Sequence, residues 1–239
     1  MHNVETSEAC RLIEKLFRVS PTWIEVEVSS QGLLPWEAAA AWIDQDKEGD
    51  AACRIQIRKR HWYPQAEVIA HEMVHALRAQ FQEEQFEEVL AYQTSASSFR
   101  RYFGPLFAKP SETKALIITL VIPWALFIAD LFWDFPWDLS PVFSLPCIAL
   151  GWMGLRLMRK QRTFARCLEH LAASLPRPEC ALAVALYLTD DEIVLFSRSF
   201  SEEIARYACA QEKICPRWER LFTTFYADAQ EKFPASSGT

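Results

Sequence analysis

Two histidines and a glutamate stand in the order His71-Glu72-Met73-Val74-His75. On a helix this spacing sets both imidazoles on one face, one turn apart, with a carboxylate beside them. Zinc takes neutral imidazole nitrogens at about 2.0–2.1 Å, and two of them converge on one ion only if the intervening turn is helical. Glu72 would then stand beside the ion, placed to accept a proton from a water there. Only five histidines occur in 239 residues, so composition alone does not account for the pairing. The flanks agree: Gln65 to Ala70 leads in and Ala76 to Phe81 leads out without Gly or Pro. Val68, Ile69, Met73, Val74, Leu77 and Phe81 recur at helical intervals. A plain amphipathic helix with two ordinary polar histidines is the competing reading.

From about Ala52 to Tyr92 the residues resemble the zincin metallopeptidases, whose signature is HExxH on the active-site helix. The resemblance implies a third protein ligand, with the fourth position left for water. Glu88 is the first choice. It opens Glu88-Val89-Leu90-Ala91-Tyr92, which looks like the Glu-x-x-Ala element on the second helix of the gluzincins, and the small Ala91 would let the two helices approach closely. Glu87 is an adjacent alternative, and Glu169 in Glu169-His170-Leu171-Ala172 has the same Glu-x-x-Ala form. A ligand at Glu169 would resemble the HtpX and CAAX-prenyl-peptidase type of membrane zinc enzyme, where a transmembrane hairpin separates HExxH from the third ligand. The choice turns on Gln82-Glu83-Glu84-Gln85, a polar stretch without Gly or Pro. A single helix from Gln65 to Ser98 is therefore a rival, and it would hold Glu88 about 20 Å from His75.

The resemblance also implies an edge strand, upstream of the active helix, that holds extended substrate by backbone pairing. Thr22 to Val28 and Cys53 to Arg58 alternate apolar and polar residues, and Ala38 to Ile43 is a third candidate strand. Glu5 to Phe17 reads as a leading amphipathic helix. His61, Tyr63 and Tyr92 are weaker candidates for a donor to the transition state.

The second strong feature is apolar. Ala115 to Trp133, broken only by Asp130 near its end, and Leu139 to Met158 are each about long enough to cross a bilayer core. Asp134-Phe135-Pro136-Trp137-Asp138 forms an acidic turn between them, with Trp133, Phe135 and Trp137 as an aromatic belt. The competing reading is a buried helical hairpin in a soluble core. Arg100, Arg101, Lys109 and Lys114 precede the hairpin, and Arg156, Arg159, Lys160, Arg162 and Arg166 follow it. The positive-inside rule thus expects both termini and the HExxH site in the cytoplasm, as for a two-span protein of a bacterial inner membrane. Seven cysteines without a CxxC pair read as reduced thiols, and Met1 to Cys10 shows no leader pattern.

A net charge of −6 and the lack of any RNA or DNA module argue against nucleic acid as a partner. The chain divides into a zincin-like portion over 1–110, the hairpin over 115–158, and a helical portion over 159–234. In the last, Thr163 to Ser174 and Cys180 to Leu188 read as helices. Thr189 with Glu192, and Ser199 with Glu202, resemble capping boxes, and Cys215-Pro216 opens a final helix up to Lys232. Arg78, Arg100 and Arg101 read as solvated helix charges or topology determinants, with complementing substrate charge or the Glu ligands as the alternative.

The expectation is an α+β protein: a small sheet with the HExxH helix, a transmembrane hairpin and an all-helical end. Its function would be zinc-dependent hydrolysis of a peptide or protein substrate, with Glu72 as base and His71, His75 and Glu88 on Zn²⁺. A non-catalytic membrane-anchored adaptor is the alternative, since closely paired spans look like the bilobed hydrophobic domains of chlamydial inclusion-membrane proteins.

Overall fold

The computed structural model of the chain describes residues 2–33, 39–45, 51–58, 65–81, 83, 85–107, 110–133 and 140–226. His61 and Tyr63, the acidic turn at 134–138 and the chain's last residues lie outside this set.

Helix α1 (His2–Phe17) buries Ala9, Ile13 and Phe17, spaced four residues apart on one face. It ends at Arg18, whose left-handed backbone (φ 58°) turns the chain toward the sheet. Strands β1 (Ile24–Val28), β2 (Ala39–Gln45) and β3 (Ala51–Ile57) form one sheet in the order β1-β3-β2. The last strand in sequence is thus the central one. It runs parallel to β1, with Val26 opposite Ile55, and antiparallel to β2, with Ala41 opposite Ile55. Period-two alternation sorts its faces: Cys53, Ile55 and Ile57 are buried, while Arg54 is exposed. On the outer face Trp42 Nε1 donates to Gln56 Oε1 at 3.1 Å, joining β2 to β3.

Helix α2 (Gln65–Arg78) packs on α1 and on strands β2 and β3. Ile69, Ala70, Met73 and Val74 are fully buried, and His71, Glu72 and His75 are half-buried beside them. After one 3₁₀ turn (Ala79–Phe81) the chain reverses, and α3 (Glu87–Ala91) returns along α2. The continuous helix from Gln65 to Ser98 is therefore excluded. Two anchors force the reversal where Gly and Pro are lacking. Phe86 is fully buried and stacks on Phe164 at 6.5 Å, a burial that contributes roughly 2 kcal/mol. The second anchor is Asp190, described below.

Helix α4 (Ser98–Phe103) is capped by the Ser97 hydroxyl, which accepts from Arg100 N. Then come α5 (Pro110–Trp133) and α6 (Leu145–Ser174), both containing stretches long and apolar enough to cross a membrane. Only 6% and 11% of their most apolar windows are buried, so the hairpin is not the core of a soluble domain. Helix α5 meets the 3₁₀ turn that leads into α6 (Ser140–Ser144) through rings, with Trp124 and Phe127 each about 6 Å from Phe143.

One expectation fails here in an informative way. The second apolar run and the helix expected at Thr163 to Ser174 are a single element of 30 residues. Its far half buries Phe164, Cys167 and Leu171. Around it pack α7 (Ala181–Ala185), α8 (Asp190–Phe196) and α9 (Ser201–Glu212), and α10 (Pro216–Leu221) packs on α9 and continues as a π-helical turn from Phe222 to Tyr226. The capping box at Thr189 and Glu192 forms as expected. The one expected at Ser199 and Glu202 does not form: the N-cap is Phe200, whose N–H donates to Glu203 Oε2 and whose side chain offers no acceptor in return. A single apolar core runs from Ile13 through Ile55, Met73 and Leu90 to Leu171, Phe196 and Trp218, so the first and last thirds of the chain share one interior.

Candidate metal centre

The helical turn of α2 aims two imidazole nitrogens at each other: His71 Nε2 and His75 Nε2 lie 3.1 Å apart. The reversal after α2 brings Glu88 to the same point. Its carboxylate oxygens lie 3.6 Å from His71 Nε2 and 3.6 Å from His75 Nε2. A tetrahedral ion with bonds of about 2.0–2.1 Å spaces its donors about 3.3–3.4 Å apart, so the three groups fit one ion with little movement. His71, His75 and Glu88 form a group that could hold a metal ion, and it is the one such group among the described residues.

The other candidates fall into different places. Glu87 does not face the Nε2 atoms; its Oε1 lies 2.7 Å from His75 Nδ1. That contact fixes the ring so that Nε2 is left for the ion, as a carboxylate behind a ligating imidazole does. Glu169 is exposed on α6 and stands outside the group. Tyr92 meets the His71 ring edge-on at 4.6 Å. Its own ring lies against Gly104, where any Cβ would overlap it. His71 also makes a backbone hydrogen bond with Ala91, so α3 steadies both imidazoles.

The electrostatics favour a cation at this point. Burial, the neighbouring His75 charge and Arg100 hold His71 down at about 3, so it stays neutral. Burial pulls His75 the same way. The Glu87 hydrogen bond and the charges of Glu72, Glu88 and Glu87 outweigh it and raise His75 to about 9. Burial lifts Glu88 to about 7, with Glu72 and Glu87 adding to the rise and His75 and Lys160 opposing it. The same carboxylates that raise His75 would favour a cation held between the two imidazoles. Burial, and after it the Glu72 charge, raises the Cys53 thiol on β3.

Sequence reasoning missed the groups that support the site. Arg78 is no solvated helix charge, because its side chain is fully buried. It donates to the Leu186 and Leu188 carbonyls, each at 2.9 Å, and reaches Asp190 Oδ1 at 3.4 Å. Asp190 in turn accepts from Gln85 N at 2.8 Å and Phe86 N at 3.3 Å, and Glu83 accepts from Asp190 N. The residues that pin the ligand-bearing turn therefore come from the far end of the chain. Arg100 is committed to Glu67, at 2.9 Å, which also accepts from Ser95.

Set beside protein-family models, curated proteins and solved structures, the chain matches none, so the class of protein must be argued from this geometry alone.

Proposed function

We propose that the protein is a membrane-anchored zinc peptidase with its site on the cytoplasmic side of the bilayer. The observation that carries this reading is the reversal after α2, which sets the Glu88 carboxylate 3.6 Å from both Nε2 atoms of an HExxH pair. Three protein donors with a carboxylate beside them are the make-up of a catalytic zinc site, since structural sites use four protein ligands.

When bound, the ion supplies Lewis acidity, polarising a scissile carbonyl and drawing the pKa of a water towards about 7. The protein's own residues do the rest. Glu72, whose charge is felt by both His75 and Glu88, accepts the proton of the attacking water and returns it to the leaving amine. Glu87 holds the Nδ1 side of His75, which fixes the tautomer with its Nε2 lone pair toward the ion. Strand β2, the edge strand beside α2 among the described residues, offers an extended peptide a backbone to pair with. The anchor is the α5–α6 hairpin, and the excess of Lys and Arg on its flanks sets the orientation.

The test uses the purified full chain in nanodiscs, its metal content measured by mass spectrometry and its activity on a peptide library. Stoichiometric zinc and peptide cleavage are expected. Glu72→Gln should keep the zinc and lose about 10²–10⁴-fold in rate, the usual worth of a general base. A zinc-free protein would leave the adaptor reading, and zinc with hydrolysis of non-peptide bonds alone would overturn the choice of substrate.

A further inference from the structure

Four large aromatic side chains that serve no core lie between the candidate metal centre and the first apolar helix. Phe99 is 70% exposed, Phe103 47%, and Tyr102 and Phe107 39% each. Phe99, Tyr102 and Phe103 fall at i, i+3 and i+4 on α4, which makes one face of them. They pack on one another, with Phe103 lying 4.8 Å from Phe99 and 5.0 Å from Tyr102 between ring centres. A patch of this kind on a chain's exterior marks a contact surface.

Two observations name its partner. Phe107 stands four residues before Ser111, where the first membrane-length stretch begins, so the patch is continuous in sequence with the lipid-facing hairpin. Its height is fixed independently. Gln161 Nε2 on α6 donates to the carbonyls of Arg101, at 3.2 Å, and Tyr102, at 3.0 Å. That level of α6 is where the apolar run gives way to Arg159, Lys160 and Arg162, cations suited to phosphate headgroups. Aromatic rings beside arginines at that height match the interfacial layer of a bilayer, which accepts amphipathic rings at its apolar boundary.

We propose that Phe99, Tyr102, Phe103 and Phe107 form a foot lying in the headgroup layer of the bilayer crossed by α5 and α6, seating the His71–His75–Glu88 group against that surface. This rests on the membrane-anchored reading above. The link from foot to site is short. Gly104, the residue after α4, carries the Tyr92 ring, and that ring meets His71. On the other side Lys160, next to the glutamine that holds α4, lies near enough to Glu88 to act on its carboxylate.

The experiment places p-benzoylphenylalanine singly at Phe99, Phe103, Ile118 and Leu195 of the full chain in nanodiscs of phosphatidylethanolamine and phosphatidylglycerol. After photolysis, intact-mass measurement reads phospholipid adducts. Leu195, exposed on α8, is the control. Adducts at 99 and 103 in yields comparable with 118, and none at 195, are expected. Adducts at 118 without any at 99 and 103, or a covalent dimer through 103, would overturn the foot while leaving the spans. Labelling of 195 as strong as that of 103 would overturn it too. An unlabelled 118 would overturn both the foot and the membrane reading beneath it.

Discussion

Asp190 and Phe86 stand 104 positions apart in sequence, yet the Asp190 carboxylate accepts the Phe86 backbone N–H at 3.3 Å. Its other oxygen accepts from Gln85. Phe86 immediately precedes α3, so this carboxylate sets where Glu88 arrives.

Asp190→Ala should therefore weaken metal binding although Asp190 touches no ligand. A loss of about 10–100-fold in affinity is expected, the usual cost of removing support behind a ligand. Cobalt titration, read by its visible absorption, measures it. Asp191→Ala, at the exposed neighbouring position, should bind as the parent does, and Asp190→Asn should lie between. Circular dichroism separates this from unfolding. Equal affinity in Asp190→Ala would show that the turn holds itself.

Glu88→Gln should lose zinc and Glu169→Gln should keep it, because Glu88 faces both Nε2 atoms and Glu169 is exposed on α6. Metal content after dialysis decides. The reverse result would mean that α6 supplies the ligand and that the observed reversal is not the working one.

Gly104→Ala puts a methyl group into the Tyr92 ring. Overpacking of this sort costs about 1–3 kcal/mol. Tyr92→Ala removes the obstacle, so the double variant should be more stable than the sum of the two single effects predicts, by roughly 1 kcal/mol in a denaturation cycle. Additive effects would show that the ring can move aside freely.

Acid sensitivity has a defined source in Glu192. Although burial opposes it, hydrogen bonds from Arg217, the Thr189 backbone and Trp218 hold its carboxyl below the ordinary value of 4.5. A carboxylate depressed on folding stabilises above its unfolded pKa, and the contribution drains away as pH falls through the lower, folded one. Thermal unfolding should thus lose a component below about pH 4 that Glu192→Gln lacks. At neutral pH that variant should be less stable by about 3 kcal/mol, since it leaves Arg217 without its carboxylate. Parallel acid profiles for parent and variant would refute the assignment.

The parts of this fold that local chemistry determines could be read in advance. HExxH on an apolar-periodic helix, alternation in two strands, a Glu-x-x-Ala element and two long apolar runs each carry their own signal. What joins them does not. Period-two alternation says which face of β3 is buried but not that the last strand lies in the middle of the sheet. A change of polarity suggests a break within Leu145 to Ser174, but helical hydrogen bonds are indifferent to polarity, and no Gly or Pro interrupts 155–174. Arg78 looked like surface charge because its acceptors, two carbonyls and Asp190, lie more than 100 residues away. Glu-x-x-Ala favours Glu88 over Glu87 as the ligand, but the role of Glu87 depends on the rotation of the returning helix, which puts it on Nδ1 and Glu88 near both Nε2 atoms.

The placement of Asp190 beyond the hairpin imposes an order on biosynthesis. A ribosome that has released only the first hundred residues has already exposed both imidazoles and the third donor, but the residue that clamps their turn is still to be translated. Assembly of the His71–His75–Glu88 group thus waits until both long apolar helices and the start of α8 have been made.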